Sequence, residues 1–227
     1  SDFVTEIKID KRNIISYLPF LENIKFINKE SSFNANLNNL LDVTFDKTFK
    51  VINYVYTGKG KINKLFFKFD KSIKNSFLKE DINNLSFKNS DFSIRYSSDK
   101  KNNISASGSY SVDDQNYQEY DFKNDFFKET SNIDLDFKFA QKLSIDFINY
   151  KKDYDKIAKI FLNISRKRDS INLNKLQYTE NKNLVLIEKL RINKKNIIQI
   201  KKIKVKTFNK NDLKNDFTLD FGKKIKV

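Results

Sequence analysis

Asp113 and Asp114 stand side by side, Asp134 and Asp136 stand two apart, and Gly58-Lys59-Gly60 places a lysine between glycines. Paired carboxylates serve glycoside hydrolysis and Ca²⁺ binding, and glycine-flanked lysines cradle phosphates. None of these chemistries is completed here. The acidic pairs have no further ligands at fixed spacing; the first falls in a turn and the second on the polar side of a strand. The phosphate-loop pattern Gly-x-x-x-x-Gly-Lys-[Ser/Thr] is absent, so Gly58–Lys61 is predicted as a hairpin turn whose glycines supply positive φ. The chain has no His and no Cys. That excludes thiol nucleophiles, disulfides, soft-metal sites and a Ser-His-Asp triad. No catalytic residue, metal or cofactor is expected, and the protein is read as non-enzymatic.

The formal charge is +15, with 44 basic residues against 29 acidic ones. A basic surface attracts nucleic acid or anionic lipid headgroups. Yet only Arg12, Arg95, Arg166, Arg168 and Arg191 are arginines, and bidentate phosphate or base recognition favours arginine. Lys, Asn, Ile and Phe are enriched together, which is the mark of AT-rich coding. The apolar rows alternate with Asp and Ser as often as with Lys, so basic and aromatic residues interleave poorly for stacking bases. No specific nucleic-acid partner is expected. Arg166-Lys167-Arg168, Lys194-Lys195 and Lys201-Lys202 are read as turns, outer faces and edge protection, with headgroup contact the lesser reading. Absence of Cys does not fix the redox compartment.

Ile133, Leu135, Phe137 and Phe139 alternate with Asn132, Asp134, Asp136 and Lys138. A period of two puts all the apolar side chains on one face of a strand. The same beat predicts strands at Phe3–Ile9, Phe33–Phe45, Phe92–Tyr96, Ile104–Val112, Leu143–Phe147, Ala158–Ile164, Ile171–Tyr178, Leu184–Ile192 and Phe217–Phe221. Residues 49–70 read as a hairpin turning at Gly58–Lys61, and 14–27 as an irregular apolar segment around the single proline, Pro19. Between Ile198/Ile200 and Ile203/Val205 the beat changes parity, which predicts a bulge near Lys201-Lys202.

The fold class is therefore all-β. We expect one long antiparallel meander forming an open curved sheet, a groove, with at most one or two short helices near 14–22 and 71–80. A closed barrel fits less well, because four glycines are few for its corners and the apolar rows are uniformly bulky. No apolar run matches a membrane-spanning helix. The chain opens at Ser1 and stops mid-pattern at Ile225-Lys226-Val227. Residues 1–227 thus read as a single elongated β domain, a segment of a longer protein.

The stretch KTFKVINYVYTGKGKINKLFFKF at 47–69 and the meander from Ser170 to Val227 resemble the AsmA-like family. That resemblance implies a piece of a large periplasmic envelope protein whose parent chain is anchored in the inner membrane. Family members form elongated β-grooves along which phospholipids move toward the outer membrane. The implied partners are phospholipid acyl chains and neighbouring segments of the same chain, with membrane contact through the parent's anchor. No catalytic residues are carried over; the working part is the apolar face. Its expected lining is Phe137, Phe139, Ile145, Phe147, Ile160, Leu162, Leu186, Leu190, Phe217 and Leu219. The alternative is a structural or interaction β-sandwich that presents its polar face to a protein or glycan.

Overall fold

The computed structural model describes residues 2–9, 31–168, 170–193, 196–208 and 213–222. Among them are fifteen strands and one 3-10 turn, Asp146–Ile148. The strands are β1 (Asp2–Ile9), β2 (Ser32–Phe45), β3 (Val51–Ile73), β4 (Ile82–Ser97), β5 (Asn102–Val112), β6 (Gln118–Phe127), β7 (Thr130–Phe139), β8 (Leu143–Ile145) and β9 (Tyr150–Lys152). They continue with β10 (Ala158–Lys167), β11 (Ser170–Glu180), β12 (Asn183–Asn193), β13 (Asn196–Gln199), β14 (Lys202–Phe208) and β15 (Lys214–Asp220). Hydrogen-bonded neighbours run β1-β2-β3-β4-β5-β6-β7-β10-β11-β12-β14-β15, with β13 pairing β12 beside that path. The sheet is open, not closed into a barrel. β8 and β9 make a separate ribbon. The irregular segment expected at 14–27, the basic pair Lys194-Lys195 and the end at Ile225–Val227 lie outside the described residues.

The chain divides into two compact units. The first is Ser1–Asn75 with Glu80–Asp125, and the second is Ser76–Lys79 with Phe126–Val227. In the first unit, β3 runs 23 residues without a turn. The hairpin expected at Gly58–Lys61 does not form. Both glycines sit mid-strand, Gly58 opposite Asn39 and Ile94, Gly60 opposite Leu37 and Phe92. Their role is close approach rather than positive φ. A Cβ on Gly60 would stand 2.0 Å from the Asn36 carbonyl oxygen, which is backbone and cannot step aside. Gly108 is similar: a Cβ there would meet Ser90 Oγ at 2.5 Å.

Small residues thus crowd one line across this unit, where Ala35 and Ser90 are fully buried. Ala35, Leu37 and Ile62 form a small core, flanked by Phe33, Leu65 and Phe92. Beside it Phe87 packs edge-on against Phe67 and Tyr120, and Tyr120 edge-on against Tyr110. Such ring pairs are worth about 0.5–1.5 kcal/mol each beyond their burial. The Asp113-Asp114 turn has both residues in the left-handed region, φ 48° and 57°. Asp113 Oδ1 accepts the amides of Asn83 and Asn84 at 2.9 and 2.8 Å. This carboxylate therefore fastens the chain at the start of β4. Residues 71–80 hold no helical turn; β3 extends to Ile73, and Leu78 makes an isolated bridge to Leu143.

In the second unit the strand expected at 143–149 is broken. β8 ends at Ile145, the 3-10 turn follows, and Asn149 takes φ 46° before β9. The turn rotates Phe147 outward and Ile148 into the core. The parity change expected near Lys201-Lys202 is present: Lys201 falls opposite the left-handed Lys189, between the pairs Arg191–Gln199 and Glu188–Lys202, and a second irregularity leaves Ile198 extra between Ile197 and Gln199.

The two glycines make a clean comparison. Gly60→Ala should cost about 3 kcal/mol or more, because backbone blocks the new methyl. Gly58→Ala, facing mainly movable side-chain atoms, should cost about 1 kcal/mol. Urea denaturation of both variants would check this; equal costs would mean that β2 does not press on β3.

Candidate functional site

The register of the second unit stacks apolar residues into rows that cross its strands. One row reads Phe137, Ile160, Tyr178, Val185, Val205, Phe217 through β7, β10, β11, β12, β14 and β15. The next reads Leu135, Leu162, Leu176, Ile187, Ile203, Leu219. A third, shorter row is Ile133, Ile164, Leu173, Leu190. Neighbouring strands lie ~4.8 Å apart and alternate residues ~6.6 Å apart. The three rows therefore cover a field of roughly 24 Å by 13 Å.

The third row exists because extra residues fall in line. Asn174 is inserted in β11 relative to β10, and its place in β12 is Lys189, held at φ 54°. Each insertion flips parity, and two opposite each other flip both strands together. Leu190 thereby returns to the face that holds Val185 and Ile187.

One end of this face is covered. The β8–β9 ribbon and its 3-10 turn lay Ile148 and Tyr150 over Phe139, Ala158, Tyr178 and Val205, with Leu78, Leu143 and Ile145 around them. Polar bonds hold the cap down. Tyr150 Oη lies 2.7 Å from Tyr178 Oη and donates to Glu180 Oε2 at 2.8 Å. Asn215 Nδ2, from β15, donates to the Ile148 carbonyl at 2.7 Å. The Ser144 amide donates to the Phe77 carbonyl at 2.9 Å. Burial raises both tyrosine hydroxyls above their ordinary value, Tyr150 also through its bond to Tyr178.

Lys152 is the cap's buried cation, 1% exposed. Its Nζ donates to the carbonyls of Ala140, Gln141 and Asp153 at 2.9, 2.9 and 3.2 Å. All three ammonium protons are therefore used. Burial pulls its pKa down to about 8, opposed by the carboxylates of Glu180, Asp155 and Asp153.

Beyond the cap the face is open. Every residue of the Leu135 row is at least partly exposed, and Leu219 is the most exposed of them. Of that row only Ile203 packs against the capped cluster. The reverse face is mixed: Asp134, Asn163, Lys175, Glu188, Lys202 and Asp220 form one cross-strand row of mostly alternating sign, while Phe161, Leu184 and Leu186 stand among polar neighbours beside it. Asp134 takes a hydrogen bond from Asn163 at 2.5 Å, and Asp136 pairs with Lys159 at 3.0 Å. Of the basic run at 166–168, Arg166 and Lys167 end β10, and only Arg168 is in the turn, at φ 51° and paired to Glu129.

Of the ten expected lining residues, the register puts Phe137, Ile160, Leu162, Leu190, Phe217 and Leu219 on this face. Phe139 and Ile145 belong to the capped end, and Phe137 and Ile160 also pack against it. Phe147 lies on the turn, 79% exposed. Leu186 is on the reverse face, between Gln177 and Lys204. Simple alternation misassigns it, because Lys189 separates it from Leu190. Leu135, Leu176, Ile187 and Ile203 complete the rows and were legible as in-phase apolar residues. In the first unit a shallow hollow of ≈180 Å³ is lined by Asp91, Phe92, Ser93, Ser105–Ser107, Asp121 and Phe122. It offers serines without a base and two carboxylates without a third ligand. Among the described residues no cluster of three potential metal ligands occurs, and no helix is long and apolar enough to cross a membrane.

These features define an open, single-layer antiparallel sheet with one apolar face, capped at one end. No family model matches the chain, and neither the curated proteins nor the solved structures include a match to it.

The cap gives stability a particular pH dependence. Between about 8 and the ordinary lysine value of 10.5, the unfolded chain keeps a proton that the folded one releases. Stability should therefore rise through that window until tyrosine ionisation in the unfolded chain opposes it. Lys152→Met should remove the rise and, by orphaning three carbonyls, cost about 1–3 kcal/mol at neutral pH. Denaturation midpoints from pH 7 to 9.5 read both effects.

Proposed function

We propose that this chain is a lipid-binding groove segment, holding phospholipid acyl chains on the open apolar face of its second unit. The observation that carries the reading is the Leu135–Leu219 row: six apolar residues on six strands, all at least partly exposed, five of them outside the capped cluster. Hydrocarbon laid on such a face leaves water at ~0.8 kcal/mol per CH₂. The rows offer no fixed polar contact, so binding would be unselective and a chain could slide along them. That suits transfer rather than storage. Beneath the field the reverse face carries the row of mostly alternating charge, which keeps that side in water.

In the wider proposal, which takes its setting from the AsmA-like resemblance, the parent is a periplasmic envelope protein. It would be anchored in the inner membrane and pass phospholipid toward the outer one, as part of outer-membrane biogenesis. β1 and β15 each have a single strand neighbour among the described residues. Neighbouring segments of a longer chain would pair there and continue the sheet. The role needs no catalysis.

The test uses two faces of one sheet. Leu162→Asp, on the open row, should abolish phospholipid copurification from detergent-free preparations while the far-ultraviolet β signal persists. Leu186→Asp, on the reverse face beside Lys204, should leave lipid content unchanged. A wild-type chain that purifies free of lipid would overturn the reading. Unfolding of Leu162→Asp would do so too, since it would mark the row as packed core.

A further inference from the structure

The geometry points to a second lipid contact of a different kind: the β2–β3 hairpin tip in the first unit inserts into the surface of an anionic phospholipid bilayer. β4 ends at Ser97, opposite Val55. Past that point β2 and β3 continue as a two-stranded ribbon closed by residues 46–50. A ribbon of two strands is marginal in water and usually hides its apolar residues. This one displays them. Phe45, Val51 and Ile52 are all more than half exposed, and Phe49, at the tip, is 87% exposed.

The tip is built rather than loose. Asp46 Oδ1 accepts the Thr48 amide at 2.8 Å, the Thr48 hydroxyl at 2.7 Å and the Lys50 amide at 2.9 Å. The Asp46 amide donates to the Lys50 carbonyl at 2.9 Å. These bonds fix Phe49 at φ 59° with its ring in solvent. That conformation is rare for an aromatic residue, and strain of this kind gathers where function needs it. The Thr48 hydroxyl bond is the chief reason that the Asp46 carboxyl stays below its ordinary pKa.

Charge selects the occupant. Lys47 and Lys50 flank Phe49, and their ammonium groups make no ion pair among the described residues. Lys100 and Lys101 are exposed in the next turn, which is joined to the ribbon through the Ser98 amide on the Tyr54 carbonyl. Three acids share this end: Asp46 and Asp99 are engaged by Thr48 and Ser97, Asp42 is exposed at the ribbon's base, and the four lysines outnumber them. The ribbon's exposed apolar pairs, Val43 with Tyr54 and Phe45 with Val51, share one side, with Ile52 the extra residue of β3 and Phe49 at the tip. With Phe49 at the very end, the ribbon can enter a lipid interface tip first and leave Lys47 and Lys50 at headgroup level. Aromatic and aliphatic side chains buried just below headgroups, with lysines at headgroup level, are the chemistry of interfacial anchoring.

This contact does not depend on the acyl-chain groove, and the two fail separately. The chain has no Trp, so Phe49→Trp places a single reporter at the tip. Its emission should shift to the blue with vesicles of phosphatidylcholine plus about a third phosphatidylglycerol, and not with phosphatidylcholine alone. Phe49→Gly relieves the backbone and so keeps the fold; it should weaken vesicle binding about tenfold. Lys47→Glu with Lys50→Glu should abolish binding, as should high salt. Phe147→Gly, removing an equally exposed ring from the second unit, should change nothing. The inference is overturned if Phe49→Gly binds as wild type does, if Phe147→Gly loses as much, or if binding ignores anionic lipid. Leu162→Asp should bind vesicles normally, which separates this contact from the groove.

Discussion

In a strand the face a side chain occupies is decided by counting, and every apolar row here depends on that count agreeing across six strands. One uncompensated extra residue would send the rest of its strand to the wrong side. The molecule tolerates extra residues because they are aligned. Asn174 and Lys189 lie between the pairs Leu173–Leu190 and Lys175–Glu188, and Lys201 falls opposite Lys189 on the next strand. The same device recurs in the first unit. Asn63 and Asn89 lie between the pairs Ile62–Ser90 and Lys64–Lys88. Asn89 and Lys189 both adopt positive φ, a cost of roughly 1 kcal/mol or more for each non-glycine residue. What the strain secures is a face that stays apolar on both sides of the irregularity.

The two units dispose of their apolar faces differently. The first uses small residues where backbones crowd, Ala35, Gly60, Ser90 and Gly108, with an aromatic cluster beside them. The second uses a cap whose attachment is polar: Tyr150 to Tyr178 and Glu180, Asn215 to Ile148, and Lys152 to three carbonyls. Polar attachment fixes where the cap sits without needing more hydrocarbon than Ile148 and Tyr150 supply. The remaining rows therefore keep their exposure.

Much of the architecture was legible in the residues, because period-two alternation is a property of one strand and needs no partner. The all-β class, the open sheet and the shared face of Phe137, Ile160, Leu162, Leu190, Phe217 and Leu219 follow from it. The errors have separate physical causes. Gly58 and Gly60 looked like turn glycines, but the demand on Gly60 comes from the Asn36 carbonyl on the neighbouring strand, far off in sequence and adjacent in space. Leu186 and Leu190 share parity, yet a left-handed Lys189 between them puts them on opposite faces. Phe147 continued an apparent beat that the 3-10 turn interrupts. Each of these depends on a neighbour or a backbone angle that alternation does not encode.

The cap has one more consequence. It stands over the Phe139 and Ala158 end of the strands, so an apolar path along the strand direction is blocked at that end. The unbroken direction is the other one, from Leu135 across to Leu219, perpendicular to every strand. Distance along that direction is counted in strands: each added hairpin contributes about 10 Å, whatever its loop or strand length. A protein made this way sets its span by how many times the chain turns back on itself.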